Sequence, residues 1–318
     1  MENCNVLISA TAAKYGGGKA ILELFCEKKV NCDNFYIILS PHQPEVCPKN
    51  YRWIKKETNG FISLIFNAFL LSFYYVYFDC IKTINFNNYN LIFPFKNRVT
   101  YFHNYLIIQS GDMKYKLIRG YLKIFQSKVK YVFQTQMVKD DFIRTFGFGL
   151  DGDVKWPGIK RISNTIYSSR EKNKILVPIT NPLDKHKNIK LVYKLAEINS
   201  SLNFYITSEK IELEGDFNNI HFIGMLEKSE FYRQISTSEV VLITSTFETV
   251  CLPIFESLYC ETPVIAYKAK YIEGIIEKEG IENINLFYNE ENFYDVFYNL
   301  SFKSISKNSN VFKGDWDI

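Results

Sequence analysis

Short apolar runs rich in β-branched residues alternate with longer amphipathic segments along most of this chain. The runs predict strands at residues 5–9, 34–39, 91–95, 99–102, 130–134, 174–178, 203–207, 221–223, 239–244 and 263–267. The amphipathic segments predict helices from the glycine turn at 16–18 to about 28, and at 112–126, 138–146, 188–199, 228–236 and 253–260, and an apolar segment predicts one more at 61–78. This alternation predicts an α/β fold with parallel sheets.

The alternating series is interrupted once, between residues 147 and 174, where Gly, Pro and Ser occur without hydrophobic periodicity. Such a stretch is typical of a connection between domains. A length of 318 residues also agrees with two domains of ~150 residues each. We therefore predict one domain over residues 1–165 and a second over residues 166–318, with a ligand cleft where the two meet.

Residues 61–78 carry no charged side chain, and this length reaches the lower limit for a membrane span. Asn67, two serines and three tyrosines dilute the segment, and Asp79 follows it directly. We expect a largely buried helix of the first domain. A true span and a shallow contact with a membrane are the alternatives.

Composition adds little that is specific to one function. The net charge is +4, and the seven cysteines form no CxxC pair and no zinc-like spacing with the four histidines. Scattered cysteines and the lack of a signal-type leader predict reduced thiols in the cytoplasm. The modest charge and the lack of a binding motif argue against nucleic acid as a partner.

The helix at 112–126 is basic, with Lys114, Lys116, Arg119 and Lys123 between apolar positions. Such a helix can lie on an anionic membrane, so a peripheral location on the inner face of the membrane is one expectation. An ordinary amphipathic surface helix is the alternative.

The most informative segment is Glu-Thr-Val-Cys-Leu-Pro-Ile-Phe-Glu, from Glu248 to Glu256. It follows the strand at 239–244 and opens the helix at 253–260, with Pro253 near the first turn. One glutamate therefore lies at the carboxyl end of a strand and the other about one helical turn further on. Ligands bind at such strand ends in open α/β sheets. The alternative is a pair of solvated glutamates at a helix end.

This segment resembles the E-x7-E motif of retaining GT-B glycosyltransferases of family 4, whose usual form is E-G-F-G-L-P, three residues, then E. The matching positions are Glu248, Leu252, Pro253 and Glu256. Thr249 and Cys251 stand where the family has glycines, and Val250 stands where it has an aromatic residue. The resemblance implies that Glu248 binds the donor sugar and Glu256 the ribose, and that Val250, Cys251 and Leu252 line the donor site.

Other motifs occur in the order of that family. Gly17 and Gly18 follow the first strand, where backbone amides and a helix N-terminus can face the donor phosphates; a flexible turn is the alternative. His103 ends a predicted strand, and the resemblance places it near the reaction centre, with a structural role as the alternative. Lys187 would contact the diphosphate, unless it is a solvated lysine near a helix start, and Met225 would border the base. Asn181 stands where many members have a second cation, an arginine.

The resemblance implies a GT-B fold of two Rossmann-like domains facing each other across a cleft, with the acceptor bound by the first and the donor by the second. It implies transfer of a hexose from a UDP- or GDP-linked donor to a saccharide or lipid-linked glycan, as in lipopolysaccharide or capsule biosynthesis. The anomeric configuration would be retained, and neither a metal nor a cofactor is expected. A GT-B-type nucleotide-sugar epimerase and a non-catalytic GT-B-like partner subunit are the alternatives.

Overall fold

The computed structural model describes residues 4–162, 169–211, 217–279, 281 and 283–318. The chain divides into two compact units. Unit 1 comprises Met1–Lys160 and Gly314–Ile318, and unit 2 comprises Arg161–Lys313. The boundary predicted between residues 165 and 166 lies outside the described residues, and the division observed in the structure falls five positions earlier.

Unit 1 is built on a parallel sheet whose described strands run in the order β3-β2-β1-β4-β5-β6-β7. Its strands are β1 Asn5–Ser9, β2 Phe35–Ser40, β3 Tyr51–Lys55, β4 Lys82–Asn85, β5 Arg98–Phe102, β6 Lys130–Phe133 and β7 Asp153–Val154. Its helices are α1 Gly16–Lys28, α2 Gly60–Ile65, α3 Leu71–Tyr77, α4 Leu106–Gln109, α5 Met113–Phe125 and α6 Gln136–Phe146. A π-helical turn, Phe66–Leu70, joins α2 to α3. The strand order reverses between β1 and β4, as in Rossmann-type sheets.

Both faces of the unit 1 sheet are covered. Helix α1 packs Phe25 and its neighbours against Ile8, Ile38 and Val99 on one face. The opposite face is covered by the α2–α3 segment, which packs against Leu7 and Ile37, and by α5 and α6, which pack against Phe102 and Phe133.

Two sequence predictions for unit 1 are wrong. No strand forms at residues 91–95; the strand beside β5 is β4, whose residues Lys-Thr-Ile-Asn carry a single large apolar side chain. The stretch 147–160 is part of unit 1 instead of a connection between domains, because β7 extends the sheet beside β6. A two-residue strand is too short to show hydrophobic periodicity.

The continuous helix Gly60–Tyr77, which we call the apolar helix, was expected to be largely buried, and that expectation is also wrong. Only a third of it is buried. By length and composition alone it could cross a membrane. Phe61, Phe69, Phe73 and Val76 are each about half to two-thirds exposed.

The last residues of the chain return to unit 1. Trp316 is buried, stacks on Tyr101 with ring centroids 5.1 Å apart, and donates its indole N–H to the Pro157 carbonyl at 3.1 Å. Asp315 pairs with Lys155 at 2.9 Å. A Cβ on Gly314 would lie 2.3 Å from the Pro157 oxygen, so that this approach requires glycine.

Unit 2 has a second parallel sheet, with the described strands in the order β10-β9-β8-β11-β12-β13. The strands are β8 Glu171–Val177, β9 Asn203–Ile206, β10 Ile220–Phe222, β11 Ser238–Ile243, β12 Val264–Tyr267 and β13 Ile284–Phe287. The helices are α7 Ile189–Ile198, α8 Lys228–Thr237, α9 Leu252–Tyr259, α10 Lys270–Glu279 and α11 Glu290–Tyr298. The predicted strands and helices of this half are confirmed to within a few residues, and the order is again that of a Rossmann-type sheet.

Candidate functional site

Strands β8 and β11 are neighbours in the unit 2 sheet, although they are far apart in the chain. The order of the sheet reverses at this pair, so the loops that leave their carboxyl ends diverge and leave a crevice. The loop after β8 carries Lys187, and the loop after β11 carries Glu248. The sheet therefore brings these two predicted residues to one place.

The loop around Lys187 is fixed to the end of β11 by hydrogen bonds to its backbone. The hydroxyl of Thr244 donates to the Lys187 carbonyl at 2.7 Å, and the Thr246 N–H donates to the His186 carbonyl at 2.8 Å. Asn188 then adopts a left-handed conformation with φ of 55°, which turns the chain into α7. The backbone on both sides of Lys187 is thus set by neighbouring residues.

Lys187 and Glu248 form an ion pair, with 2.5 Å between Nζ and Oε1, and each side chain is 19% exposed. Burial is the largest single influence on the Lys187 ammonium and lowers its pKa, but the charge and hydrogen bond of Glu248, together with Cys251 and Asp184, outweigh it, so the pKa lies above its usual value. Lys187 is therefore fully protonated at neutral pH. The ion pair is thus already formed and partly shielded from water at the switch point of the sheet, the place between β8 and β11 where the strand order reverses.

The residues between the two glutamates form the turn into α9. Cys251 has φ of 59° and precedes the helix, which begins at Leu252 with Pro253 second. A left-handed conformation favours glycine, and glycine is the residue of the resembling motif at this position. Val250 is buried. Burial raises the pKa of the Cys251 thiol, so the thiol stays protonated and is a poor nucleophile.

Glu256 lies in the second turn of α9 and is only 2% exposed. Its carboxylate accepts a hydrogen bond from Lys228, the first residue of α8. A buried carboxylate needs such a partner, because an unpaired charge inside a protein is costly. The sequence reasoning missed Lys228. The signal that could have found it is its position at a helix start after β10, at the same edge of the sheet as Lys187.

Met225 follows β10 through Gly224, whose φ of 73° requires a left-handed turn, and its side chain is half exposed. The Gly224 N–H donates to the Ser208 carbonyl at 3.0 Å, which ties the turn to the end of β9. Met225 thus also lies at the carboxyl edge of the unit 2 sheet.

Unit 1 brings Gly18 and His103 together. Helix α1 begins at Gly16, which has φ of 63°. A Cβ on Gly18 would lie 3.9 Å from the His103 Nε2, and a Cβ on Gly17 would meet nothing within 4 Å. Burial lowers the pKa of the His103 imidazole to about 4, so His103 is neutral at neutral pH. A neutral imidazole can donate one hydrogen bond and accept another.

Buried asparagines after β4 hold this part of unit 1, and the sequence reasoning did not identify them. Asn87 accepts from the Ala12 N–H at 3.0 Å and donates to the Ser9 carbonyl at 3.1 Å. Asn88 accepts from the His103 N–H at 2.7 Å. The loops after β1, β4 and β5 are therefore joined by side-chain amides.

The described residues contain no cluster of possible metal ligands. No group of three or more His, Cys, Asp or Glu side chains among the described residues could hold a metal ion. The aspartate pair Asp151 and Asp153 lies at β7, where Asp153 pairs with Lys130 at 2.8 Å.

Residues 166–293 match the family model described as "Glycosyl transferases group 1". No curated protein matches the chain in sequence. Solved structures match 93% of it. They include WaaG, a glycosyltransferase involved in lipopolysaccharide biosynthesis (TM-score 0.70, 12% identity, 90% of that chain covered). They also include sucrose-phosphate synthase from Thermosynechococcus elongatus (0.66, 11%, 90%) and Anabaena HepE in complex with UDP-glucose (0.64, 14%, 89%).

At these identities the structural likeness establishes the fold: two parallel-sheet α/β domains of the GT-B type. The predicted fold class is therefore confirmed. The family match covers Lys187, Met225 and the segment from Glu248 to Glu256. These residues therefore lie in the part of the chain that is similar to the group 1 glycosyl transferases.

Proposed function

We propose that this chain is a retaining glycosyltransferase that moves a hexose from a UDP- or GDP-linked donor to a saccharide or lipid-linked glycan of a surface polysaccharide. The observation that carries the proposal is the Lys187–Glu248 pair at the switch point of the unit 2 sheet. A cation there suits a diphosphate, and a carboxylate beside it suits sugar hydroxyls.

In the proposed complex the donor lies along the carboxyl edge of the unit 2 sheet. Lys187 contacts the diphosphate, together with the positive end of the α9 dipole. Glu256 accepts hydrogen bonds from the ribose diol, and Met225 borders the base. In unit 1, the amides of Gly17 and Gly18 bind the phosphates, and His103 lies at the reacting sugar.

The ion pair also supplies a way to couple the two ends of the donor. Without donor, the Lys187 ammonium and the Glu248 carboxylate are ion-pair partners, 2.5 Å apart. A diphosphate draws the ammonium toward its own oxygens, because two negative groups then share one cation. Glu248 is thereby released to accept hydrogen bonds from the sugar hydroxyls.

The proposed reaction breaks the bond between the anomeric carbon and the diphosphate oxygen and forms a bond from that carbon to the acceptor oxygen on the same face. The leaving diphosphate takes the acceptor's proton. Lys187 and the dipole of α9 stabilise the charge that develops on the leaving group. No side chain is required as a nucleophile, which agrees with the protonated thiol of Cys251.

The test is nucleotide release from UDP-, GDP-, dTDP- and ADP-sugars, with a membrane extract as acceptor and EDTA present. UDP-glucose is the first donor to try, because HepE was solved with it. Lys187→Ala and Glu256→Ala are expected to lower the rate by at least about 100-fold, since each removes a charged contact to the donor. Lys172→Ala and Glu197→Ala, which alter exposed residues away from this edge, are the matched controls and should retain activity.

Product analysis then decides the finer points. An α-linked product from an α-linked donor supports retention, and an inverted product contradicts it. Epimerisation of the donor without an acceptor would replace the proposal with an epimerase. Binding of a nucleotide without turnover of any donor would identify a non-catalytic GT-B-like subunit.

A further inference from the structure

The apolar helix presents a wide hydrophobic surface to solvent. Its strongly exposed apolar residues are Phe61, Ile62, Ile65, Phe69, Leu70, Phe73, Val76 and Tyr77. No charged residue interrupts them from Gly60 to Tyr77. Single exposed apolar residues are ordinary on a protein surface, but a contiguous set of this size marks an interaction site.

The π-helical turn Phe66–Leu70 keeps these residues on one side of the helix. A π turn contains about one residue more than an α turn, which rotates all later side chains back by about 100°. Phe73, Val76 and Tyr77 therefore continue the side begun by Phe61 and Ile65. Phe66, Asn67 and Leu71 face the sheet and are buried.

Buried contacts hold the helix to unit 1 and argue against a membrane span. Asn67 accepts hydrogen bonds from the Ser9 hydroxyl at 2.6 Å and from the Asn85 amide at 2.9 Å. Phe66 and Leu71 pack against Leu7 and its neighbours. A span would break all of these contacts and place Asn67 in hydrocarbon, whereas a helix lying in the plane of a membrane surface keeps them.

Helix α5 adds positive charge to apolar positions that are also exposed. Met113, Leu117 and Ile124 are each more than half exposed. The exposed lysines Lys114, Lys116, Lys123 and Lys128 lie beside them. In the part of the chain that the structure describes, no acidic side chain pairs with any of these four lysines.

The apolar helix and α5 cover the same face of the unit 1 sheet. Leu7, under the apolar helix, is paired in register with Thr83 of β4, and Thr83 is paired with Arg98 of β5. The three side chains therefore lie on the same face of the sheet. Phe102, under α5, is four residues after Arg98, so strand alternation places it on that same face. Leu64 of the apolar helix also packs against the cluster that contains Ile118 of α5. The outer sides of both helices therefore point away from the sheet in one direction.

We propose that this helix layer of unit 1 binds an anionic lipid bilayer: the apolar helix is embedded at the headgroup boundary, and the lysines of α5 contact the headgroups. Charge complementarity favours an anionic bilayer over a second copy of the chain as the partner of this surface. A second copy of the chain, joined by a twofold axis through the same surface, would bring the unpaired lysines of both copies together. An anionic bilayer neutralises them and buries the uncharged helix.

The test is flotation of the purified full chain with vesicles of phosphatidylcholine alone and of phosphatidylcholine with phosphatidylglycerol. The chain should bind the anionic vesicles, and added salt should weaken the binding. Phe73→Ser with Val76→Ser should lower the partition coefficient at least about tenfold, because two apolar side chains leave the bilayer. Lys116→Glu with Lys123→Glu should lower it similarly, and only on anionic vesicles.

Lys28→Glu, on the exposed side of α1 over the opposite face of the sheet, makes the same kind of charge change and should bind as the unaltered chain does. Ile198→Ser is the matched apolar control in unit 2. The proposal is overturned if the controls lose as much vesicle binding as the variants, or if binding does not depend on lipid charge. It is also overturned if the chain does not bind vesicles and instead forms a dimer that Phe73→Ser with Val76→Ser dissociates. No donor or acceptor is needed, so a failure here is distinct from a failure of the proposed transfer.

Discussion

The two glutamates of the motif are each held by a lysine that the motif does not contain. Glu248 meets Lys187 after β8, and Glu256 meets Lys228 at the start of α8. The first pairing could be predicted, because the carboxyl ends of neighbouring parallel strands lie together. The only sequence signal for the second is the position of Lys228 at a helix start after β10, and the spacing along the chain does not connect it to Glu256. We interpret Lys228 as a positioning residue that holds the Glu256 carboxylate in place.

Lys228→Met tests this role, since methionine keeps an unbranched side chain but removes the ammonium that pairs with Glu256 and lies over the rings of Phe231 and Tyr232. The free energy of unfolding should fall by about 2–4 kcal/mol, because the Glu256 carboxylate is left buried without a partner. The affinity for the nucleotide should fall as well. Urea denaturation and calorimetric titration with UDP and GDP measure the two effects.

Adding Glu256→Gln to Lys228→Met separates structure from binding. The double variant should recover most of the lost stability, because no unpaired charge remains, while nucleotide affinity stays low because the ribose has lost its carboxylate. Lys228→Arg should retain both properties. If the double variant binds nucleotide as tightly as the unaltered chain, Glu256 does not contact the ribose.

Among the elements, hydrophobic runs located most strands of both sheets, but missed β3, β7 and β13 at the edges and also β4 in the middle of the unit 1 sheet. β8, β11 and β12 each contain an apolar run, at 175–177, 240–243 and 264–266, because both faces of the sheet are covered there. β4 and β7 lack that pattern and were missed, as was β3, a half-exposed edge strand. The exposure of the apolar helix could not be derived from composition, because a core helix and a surface-binding helix have the same sequence pattern.

The first turn of α1 gives a test in which stability and binding change in opposite directions. Gly17 has open space where a Cβ would be, so Gly17→Ala fits the helix and should raise stability by a few tenths to about 1 kcal/mol. If the Gly17 amide contacts the donor phosphates, the added methyl group should lower transfer at least about tenfold. Thermal unfolding and nucleotide release measure the two changes.

Gly120→Ala is the matched control, because Gly120 lies in α5 and a Cβ there also meets nothing within 4 Å. It should stabilise the chain without affecting transfer. Gly16→Ala should destabilise it by about 1 kcal/mol, because alanine is strained at φ of 63°. Unchanged transfer in Gly17→Ala would show that this glycine is a turn residue only.

At the scale of the whole molecule, the chain does not divide into two consecutive halves. Its final residues complete the core of unit 1, where Trp316 lies against Phe25 and Tyr101. Just before them, Phe312 packs on Tyr259 in unit 2. Neither contact could be predicted, since a single aromatic residue in an irregular tail shows no period.

Because each aromatic belongs to one unit, removing it should loosen that unit alone. Trp316→Ala should cost about 3–5 kcal/mol and raise amide hydrogen exchange in β5. Phe312→Ala is the matched control and should raise exchange in α9 instead. Mass spectrometry of peptides from β5 and α9 measures amide hydrogen exchange in both units in one sample. A rise of equal size in both peptides for either variant would show that the units open together, and the tail would then stabilise the whole chain instead of one unit.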